Sequence, residues 1–306
     1  MSLVVGIGAF GGGLWLLVES VEGLINSLRG WALASGLSGV LVGALVLGFD
    51  IESTAAGVAA TLDDMPGTAL GASVGAAIFL VTVGLGTAAL IAPFVVRPPV
   101  TLLAAAAVAT ALSTGLAADG RLSRLDGGLL LASFFPLVAA VVLRRARTEP
   151  QAGERPARPR LLVRKVVGGL VGLVVGAELL VFGTQRVVSE LGFSETVFGL
   201  LVVAAAVSFE EVVLEALPAF RGFPELSVGN ALGTLVFLLT GSLGVIALVR
   251  PVEVPASVLA FHLPALLATT ALALALLAHG RLGRPEGGLL VGTYGAYVAG
   301  AVLVGG

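Results

Sequence analysis

The sequence predicts an all-α polytopic membrane protein, ten transmembrane helices arranged as two inverted five-helix repeats. Three observations carry that expectation: an apolar composition, the count of membrane-length apolar runs, and a self-similarity at an offset of 158 to 160 residues. Of 306 residues, 57% are apolar and 12% charged, about half the charged share of an ordinary soluble domain. Mean hydropathy is +1.07, and 17 basic with 19 acidic residues cannot give a chain of this length a polar skin. The same numbers exclude a disordered chain, and the lack of cysteine excludes a disulfide scaffold. A net charge of −2 offers no basic face for nucleic acid. The lipid bilayer is the surrounding partner that composition demands.

A helix needs about 20 apolar residues to cross the hydrocarbon layer. Such runs fall at 3–27, 36–61, 68–93, 99–118 and 127–144, and again at 162–188, 195–219, 227–249, 257–278 and 287–304. Between the two sets lies the one sizeable polar stretch, 144–165 (RRARTEPQAGERPARPRLLVRK), rich in Pro and Arg and carrying eight of the 17 basic residues. The chain thus divides into a first repeat (1–144), a linker (145–161) and a second repeat (162–306). The positive-inside rule places the linker in the cytoplasm, together with Arg29, Arg97, Arg221, Arg281 and Arg284. Only Arg121, Arg124, Arg186 and Arg250 then fall outside, a split of 13 to 4 with both termini extracellular. The first Arg stands at position 29, so the apolar start lacks the charged n-region of a signal peptide and reads as a true span. Sixteen Arg against one Lys suggest a GC-rich prokaryote and hence the cell membrane.

The halves repeat. Residues 119–130 (DGRLSRLDGGLL) return as 279–290 (HGRLGRPEGGLL), and 66–79 (PGTALGASVGAAIF) pairs with 224–237 (PELSVGNALGTLVF). Five spans per repeat is an odd number, so the second copy inserts upside down. Inverted repeats are a transporter signature, with the substrate site near the midplane at the repeat interface.

Ionisable groups inside a span are costly and usually functional. Asp50 and Glu52 lie in the second span; Glu210, Glu211 and Glu215 lie in the seventh, its repeat equivalent. Neither region holds a basic residue, so these carboxylates either keep protons or bind a cation. With Ser53, Thr54, Ser208 and Thr234 nearby, the donor set is oxygen only and suits hard ions such as Ca²⁺ or Na⁺. Glu211 and Glu215 share a helix face, and Glu210 points about 100° away. Glu19 and Glu178 read as groups that tune the pathway or bond helix ends. Asp63, Asp64, Glu190 and Glu195 read as solvated loop acids. Gly71, Gly75, Gly229 and Gly233 read as close helix-packing positions. His262 and His279 show no partner pattern, and no histidine lies where it could serve Ser208 as a base, which argues against an intramembrane hydrolase.

At these residues the chain resembles the sodium/calcium exchanger superfamily of cation antiporters. The resemblance spans nearly the whole sequence and is clearest at GAELLVFG (176–183), LGFSETVFGL (191–200) and 208–237. That family carries G-T-S-x-P-E in its second and seventh spans, followed by P-[DE]-x-x-x-G-N-x-x-G-S-N-x-F-[ND], and the signature Glu with nearby hydroxyls binds the transported ions. The resemblance makes Glu211 the signature Glu, Ser208 its Ser, and Thr234 the counterpart of the later Ser. Departures follow: Glu210 replaces the signature Pro, Val207 the Thr and Leu238 the later acidic or amide ligand, while Ala76 and Leu80 replace the Ser and Asn of the first repeat. Counting back from Pro66 without a gap puts Ser53 at the signature Glu and Asp50 at the Ser. One extra residue puts Glu52 there instead, the alignment slightly preferred.

The expected function is secondary active exchange of Ca²⁺ for Na⁺ by alternating access, with a cation/proton exchanger as alternative and a transport-inactive relative behind it. The ion site would comprise Glu52, Asp50, Ser208, Glu211, Thr234 and Glu210. No phosphate loop is present, so neither a cofactor nor enzyme chemistry is expected; the partners are inorganic cations and lipid. Nothing in the pattern sets the oligomeric state, and a monomer is compatible with it.

Overall fold

The computed structural model describes residues 2–143, 159–190 and 204–305. Its helices are α1 (Ser2–Ser35), α2 (Gly39–Val46), α3 (Ile51–Leu62), α4 (Pro66–Ile91), α5 (Val100–Ala117), α6 (Arg124–Leu143), α7 (Pro159–Glu190), α8 (Ala204–Phe220), α9 (Pro224–Val249), α10 (Val258–His279) and α11 (Arg284–Gly305). Helices α2 and α3 together form one broken span, which gives the ten expected. Eight spans among the described residues are long and apolar enough to cross a membrane. Of the other two, α11 has 22 residues, and α8 is described only from Ala204. The expected 145–161 linker lies largely outside the described residues, as does the start of the seventh span at 195–203.

Four two-residue strands tie the repeats together: β1 (Phe94–Val95), β2 (Arg121–Leu122), β3 (Val252–Glu253) and β4 (Arg281–Leu282). β1 pairs antiparallel with β4, and β2 with β3. Each pair joins a loop of one repeat to the other repeat, and the two pairs are equivalents of one another under the sequence offsets. The Val254 N–H donates to Gly120 O at 2.9 Å, and the Val96 N–H donates to Gly280 O at 3.1 Å, the same bond made twice. Loops at one membrane face must meet loops at that face. The 3–4 and 9–10 loops pair through β1 and β4; Arg221 bridges Glu22; and the Arg29 guanidinium lies over the Phe223 ring at 5.1 Å. On the opposite face β2 meets β3, and Arg250 bridges Asp64 at 2.6 Å. That is the sorting an alternating ten-span thread with an upside-down second half requires.

The repeated DGRL segment proves to be scaffolding. Gly120 and Gly280 hold φ of +88° and +81°, a left-handed conformation in which a side chain is strained. The next two residues form β2 or β4. Ser123 then caps α6 in a reciprocal box: its N–H donates to Asp126 Oδ2 at 2.8 Å, and the Asp126 N–H donates back to Ser123 Oγ at 3.2 Å. In the second copy the Gly283 N–H donates to Glu286 Oε2 at 2.8 Å. Gly127 and Gly287 follow. A Cβ at Gly127 would stand 2.8 Å from Gly244 O, and one at Gly287 would stand 2.7 Å from Gly86 O. Backbone therefore meets backbone where α6 crosses α9 and where α11 crosses α4.

Two packing groups result. The larger is built on α4 and α9 with α5, α6 and α10 around them. The smaller joins α1 and α7 to α2 and α8. Helices α1 and α7 have 34 and 32 residues, about 50 Å at 1.5 Å per residue, well beyond the expected span limits. They pack through glycines: a Cβ at Gly176 would lie 2.8 Å from Leu17 N, and one at Gly169 would lie 2.7 Å from Leu24 Cγ.

The expectation for Gly71, Gly75, Gly229 and Gly233 divides. Gly229 and Gly233 lie against the backbone of Val40 and Ala44. Among the described residues nothing comes within 4 Å of a Cβ built at Gly71 or Gly75. The repeat equivalents of Val40 and Ala44 fall within 191–203, outside the described residues.

Candidate functional site

The second span breaks at 47–50. Helix α2 ends at Val46; Asp50 then caps α3, accepting from the Ser53 N–H at 2.8 Å. A break in a membrane helix leaves the last carbonyls of one half and the first N–H groups of the next without helical partners. Such irregular backbone is tolerated where it lines a site. The positive end of α3 also favours the charges of Asp50 and Glu52. Gly48 sits at the break against α9, where a Cβ would lie 2.8 Å from Gly233 C, next to Thr234. Phe49, itself partly exposed, holds its ring 5.2 Å from Phe237 and 5.8 Å from Phe134.

Across from the break runs α8. Glu210 lies in electrostatic reach of Glu52, Glu211 and Asp50, and Glu211 in reach of Asp50 and Glu52. Among the described residues no basic group appears as their electrostatic neighbour. Glu211 Oε2 is buried without a hydrogen-bond partner. Glu52 is exposed on α3, and Asp50 and Glu210 are half-buried. Thr234 is buried, its hydroxyl donating to Asn230 Oδ1 at 3.3 Å. Ser208 belongs to α8, but its side chain lies outside the described residues. Among the described residues no three carboxylates or imidazoles come together to hold a metal ion. Hydroxyl, amide and carbonyl oxygens must complete any cation shell here.

Several features fix the repeat register. Helices α3 and α8 end at Leu62 and Phe220; Asp64 and Gly222 follow with φ of +59° and +83°; Pro66 and Pro224 open the next helices. Further on, π-helical turns at Leu80–Gly84 and Phe237–Ser242 are each stabilised by a threonine, Thr82 donating to Ile78 O at 2.5 Å and Thr240 to Val236 O at 2.6 Å. All correspond at one offset with no residue inserted. The ungapped register pairs Ser53 with Glu211, Asp50 with Ser208 and Glu52 with Glu210, rather than the preferred pairing of Glu52 with Glu211.

Two polar side chains that sequence reading left outside the site stand out here. Glu215 is 0% exposed, and neither of its carboxyl oxygens has a hydrogen-bond partner. Asn230 is 1% exposed, and its Nδ2 has none. The sequence signals were available: Glu215 one turn beyond Glu211, and Asn230 at the Asn of the family's second motif. Glu178 lies in electrostatic reach of Glu210. Glu19 instead lines a polar cleft between α1 and α7 with Ser20, Asn26, Ser27 and Lys165. His262, given no chemistry from sequence, has Nδ1 2.8 Å from the Tyr297 hydroxyl in an aromatic cluster.

Comparison with known proteins decides the family. The family model described as sodium/calcium exchanger protein matches residues 5–143 and again 165–303, once per repeat. The chain belongs to the sodium/calcium exchanger family. An uncharacterised membrane protein of Methanocaldococcus jannaschii is 27% identical over 250 residues, covering 79% of this chain and 82% of that one. Inner membrane protein YrbG of Escherichia coli is 27% identical over 262 residues, 79% of each chain. A protein named as an antiporter, CaxA of Alkalimonas amylolytica, is 33% identical over 129 residues, 42% of this chain and 40% of that one. A solved structure of the sodium-calcium exchanger NCX_Mj, soaked with zero Na⁺ and Ca²⁺, superposes with a TM-score of 0.85 at 23% identity, covering 97% of this chain and 99% of that chain. The exchanger fold, a polytopic helical bundle of two inverted repeats, is thus shared, and the family is one of transporters rather than enzymes.

Proposed function

We propose that this exchanger-family chain is a secondary active antiporter that moves Ca²⁺ against Na⁺ across the cell membrane by alternating access. The observation that carries the reading is Glu211. Its Oε2 is buried and unpartnered, it faces a helix break capped by Asp50, and among the described residues it has no basic neighbour. A dehydrated cation there would take Glu211 with Asp50 or Glu52, the Ser208 and Thr234 hydroxyls, and backbone carbonyls freed at the break. Glu210 would add charge at the rim of the same site. Helices α1 and α7 are long, glycine-packed and joined to the rest through the smaller core, which suits a pair that slides as one body. The linker would be cytoplasmic and both termini extracellular.

A second reading, cation/proton exchange, is favoured by one observation. Ala76, Leu80 and Leu238 stand where the family has polar ligands, while Glu210 and Glu215 add carboxylates, so oxygen ligands are fewer and proton-binding groups more numerous. The test is radiolabelled Ca²⁺ uptake into liposomes holding the purified full chain, under an outward Na⁺ gradient and then a pH gradient. Uptake is expected in the wild type and absent in Glu211→Gln. Unchanged uptake in that variant removes Glu211 from the site, and the gradient that drives uptake selects the coupling ion.

A further inference from the structure

Glu215 is more deeply buried than Glu211 and stands outside the donor set assigned to the cation. It projects from α8 one full turn beyond Glu211, toward α4. Gly84 makes the room: a Cβ there would stand 2.8 Å from Glu215 Oε2. The carboxyl is 0% exposed and both its oxygens lack partners. On the α9 side Ser227 Oγ donates to the Glu215 backbone carbonyl at 2.5 Å and leaves the carboxyl alone. This contact ties α9 to α8 three residues before the buried Asn230. Four of the seven buried polar side-chain atoms without partners, among the described residues, belong to Glu211, Glu215 and Asn230. The polar deficit is concentrated in these three residues.

An unpaired carboxylate walled off from water is far less favourable than its neutral form. Among the described residues the surroundings supply no countercharge. Helix α4 has no ionisable residue, and the one on α9, Glu225, is exposed at its N-terminus. On α1, Glu22 is engaged by Arg221; on α7, Glu178 is a neighbour of Glu210 instead. Glu211 is the ionisable group in electrostatic reach of Glu215.

We propose that Glu215 is a proton-binding site that works in alternation with the cation site at Glu211. With the cation site empty, Glu215 holds a proton. A cation arriving at Glu211 brings positive charge one helical turn away, and the proton leaves Glu215 for water. Each half-cycle carries either cation or proton. This rests on the antiport reading, deepens its proton-coupled form, and assigns the proton to Glu215.

The full chain is tested in liposomes without Na⁺, with radiolabelled Ca²⁺ and a pH-sensitive dye in the lumen. The wild type is expected to raise lumenal pH as Ca²⁺ enters. Glu215→Gln is expected to keep Ca²⁺/Ca²⁺ self-exchange and lose the pH change. Wild-type Ca²⁺ exchange without a pH change, or a pH change preserved in Glu215→Gln, overturns the proposal alone. A wild type that exchanges no cation overturns the antiport reading with it. Infrared spectroscopy of the wild type needs no transport and no variant: the carbonyl band of a protonated carboxylic acid must be present without cation and diminish on adding Ca²⁺. A band that ignores Ca²⁺ overturns the proposal.

Discussion

Segments 120–127 and 280–287 solve one problem twice with the same parts: a left-handed glycine, a two-residue strand, a capped helix start and a glycine on a neighbouring backbone. Segments 50–57 and 208–215 occupy equally equivalent places yet share little. Asp50, Glu52, Ser53 and Gly57 face Ser208, Glu210, Glu211 and Glu215 across the duplication. Further along, Ala72 answers to Asn230 and Ala76 to Thr234. Symmetry persists where the task is packing two upside-down halves together, because each half presents the other with the same surface. It lapses around Asp50 and Glu211, where the proposed ion pathway would be shared by both halves. One copy of a charged group then serves both halves, and the other copy is free to become a cap, as Asp50 has, or a packing glycine, as Gly57 has against Ile246.

The sharpest way to break this comparison is to overfill the symmetric glycines. Gly127→Leu and Gly287→Leu should each lose more than about 3 kcal/mol, because the opposing atoms are backbone and cannot turn away. No monodisperse protein is expected in size-exclusion chromatography from either. Gly288→Ala, with nothing within 4 Å, should behave as wild type or better. Unequal outcomes for Gly127→Leu and Gly287→Leu would mean that the two crossings are not structurally equivalent.

The asymmetric segments predict the opposite pattern, in transport rather than folding. Glu211→Gln should abolish Ca²⁺ uptake with a normal elution profile, while Ser53→Ala at the equivalent position should leave uptake within about threefold, since a hydroxyl lost from a mixed oxygen shell removes one neutral ligand. Comparable losses at both positions would restore a symmetric site and remove the reasoning above.

The fold was legible because its signals are long: ten apolar runs and a repeat that survives in glycines, prolines and capping acids need no tertiary information. Membrane composition, span count and inversion all follow from them. The site was legible only in part. Asp50 and Glu211 announce themselves as acids in apolar runs. The register between them depends on whether a turn contains an extra residue, and the paired positive φ of Asp64 and Gly222 resolves it. Asn230 is a common polar residue in a helix, and Glu215 is one acid of three; what distinguishes them is burial without partners, a property of the assembled helices. Conversely the repeated segments 119–130 and 279–290 marked the duplication, and only the structure shows that their residues serve a loop and a helix cap.

A smaller effect is expected at those caps. Asp126→Ala should lower stability by about 1 kcal/mol through loss of the capping box, and Glu286→Ala should shift the melting temperature in the same direction. The backbone N–H groups of Glu286 and Gly283 hold the Glu286 carboxyl below the usual carboxylate range. Its contribution is therefore fully present at neutral pH and lost as pH falls through that lowered value. Melting curves of wild type and Glu286→Ala should converge in acid; curves that stay apart would show that Glu286 acts through packing instead of charge.

The smallest effect concerns the turn before the third span of each repeat, where the repeats reach one geometry with different residues. Asp64 occupies the left-handed region at φ +59° and Gly222 at +83°. Aspartate tolerates that region better than most residues but less well than glycine. Asp64→Gly thus relieves local strain while removing an exposed ion pair with Arg250, and exposed pairs contribute between 0 and about 1 kcal/mol. The two changes nearly cancel, so stability should move by less than about 0.5 kcal/mol. Gly222→Ala gains no such compensation. Added strain at positive φ should destabilise it by about 1 kcal/mol. Side-by-side melting curves separate the two, and a large loss in Asp64→Gly would reveal that the Arg250 bridge pins the second and eighth spans together.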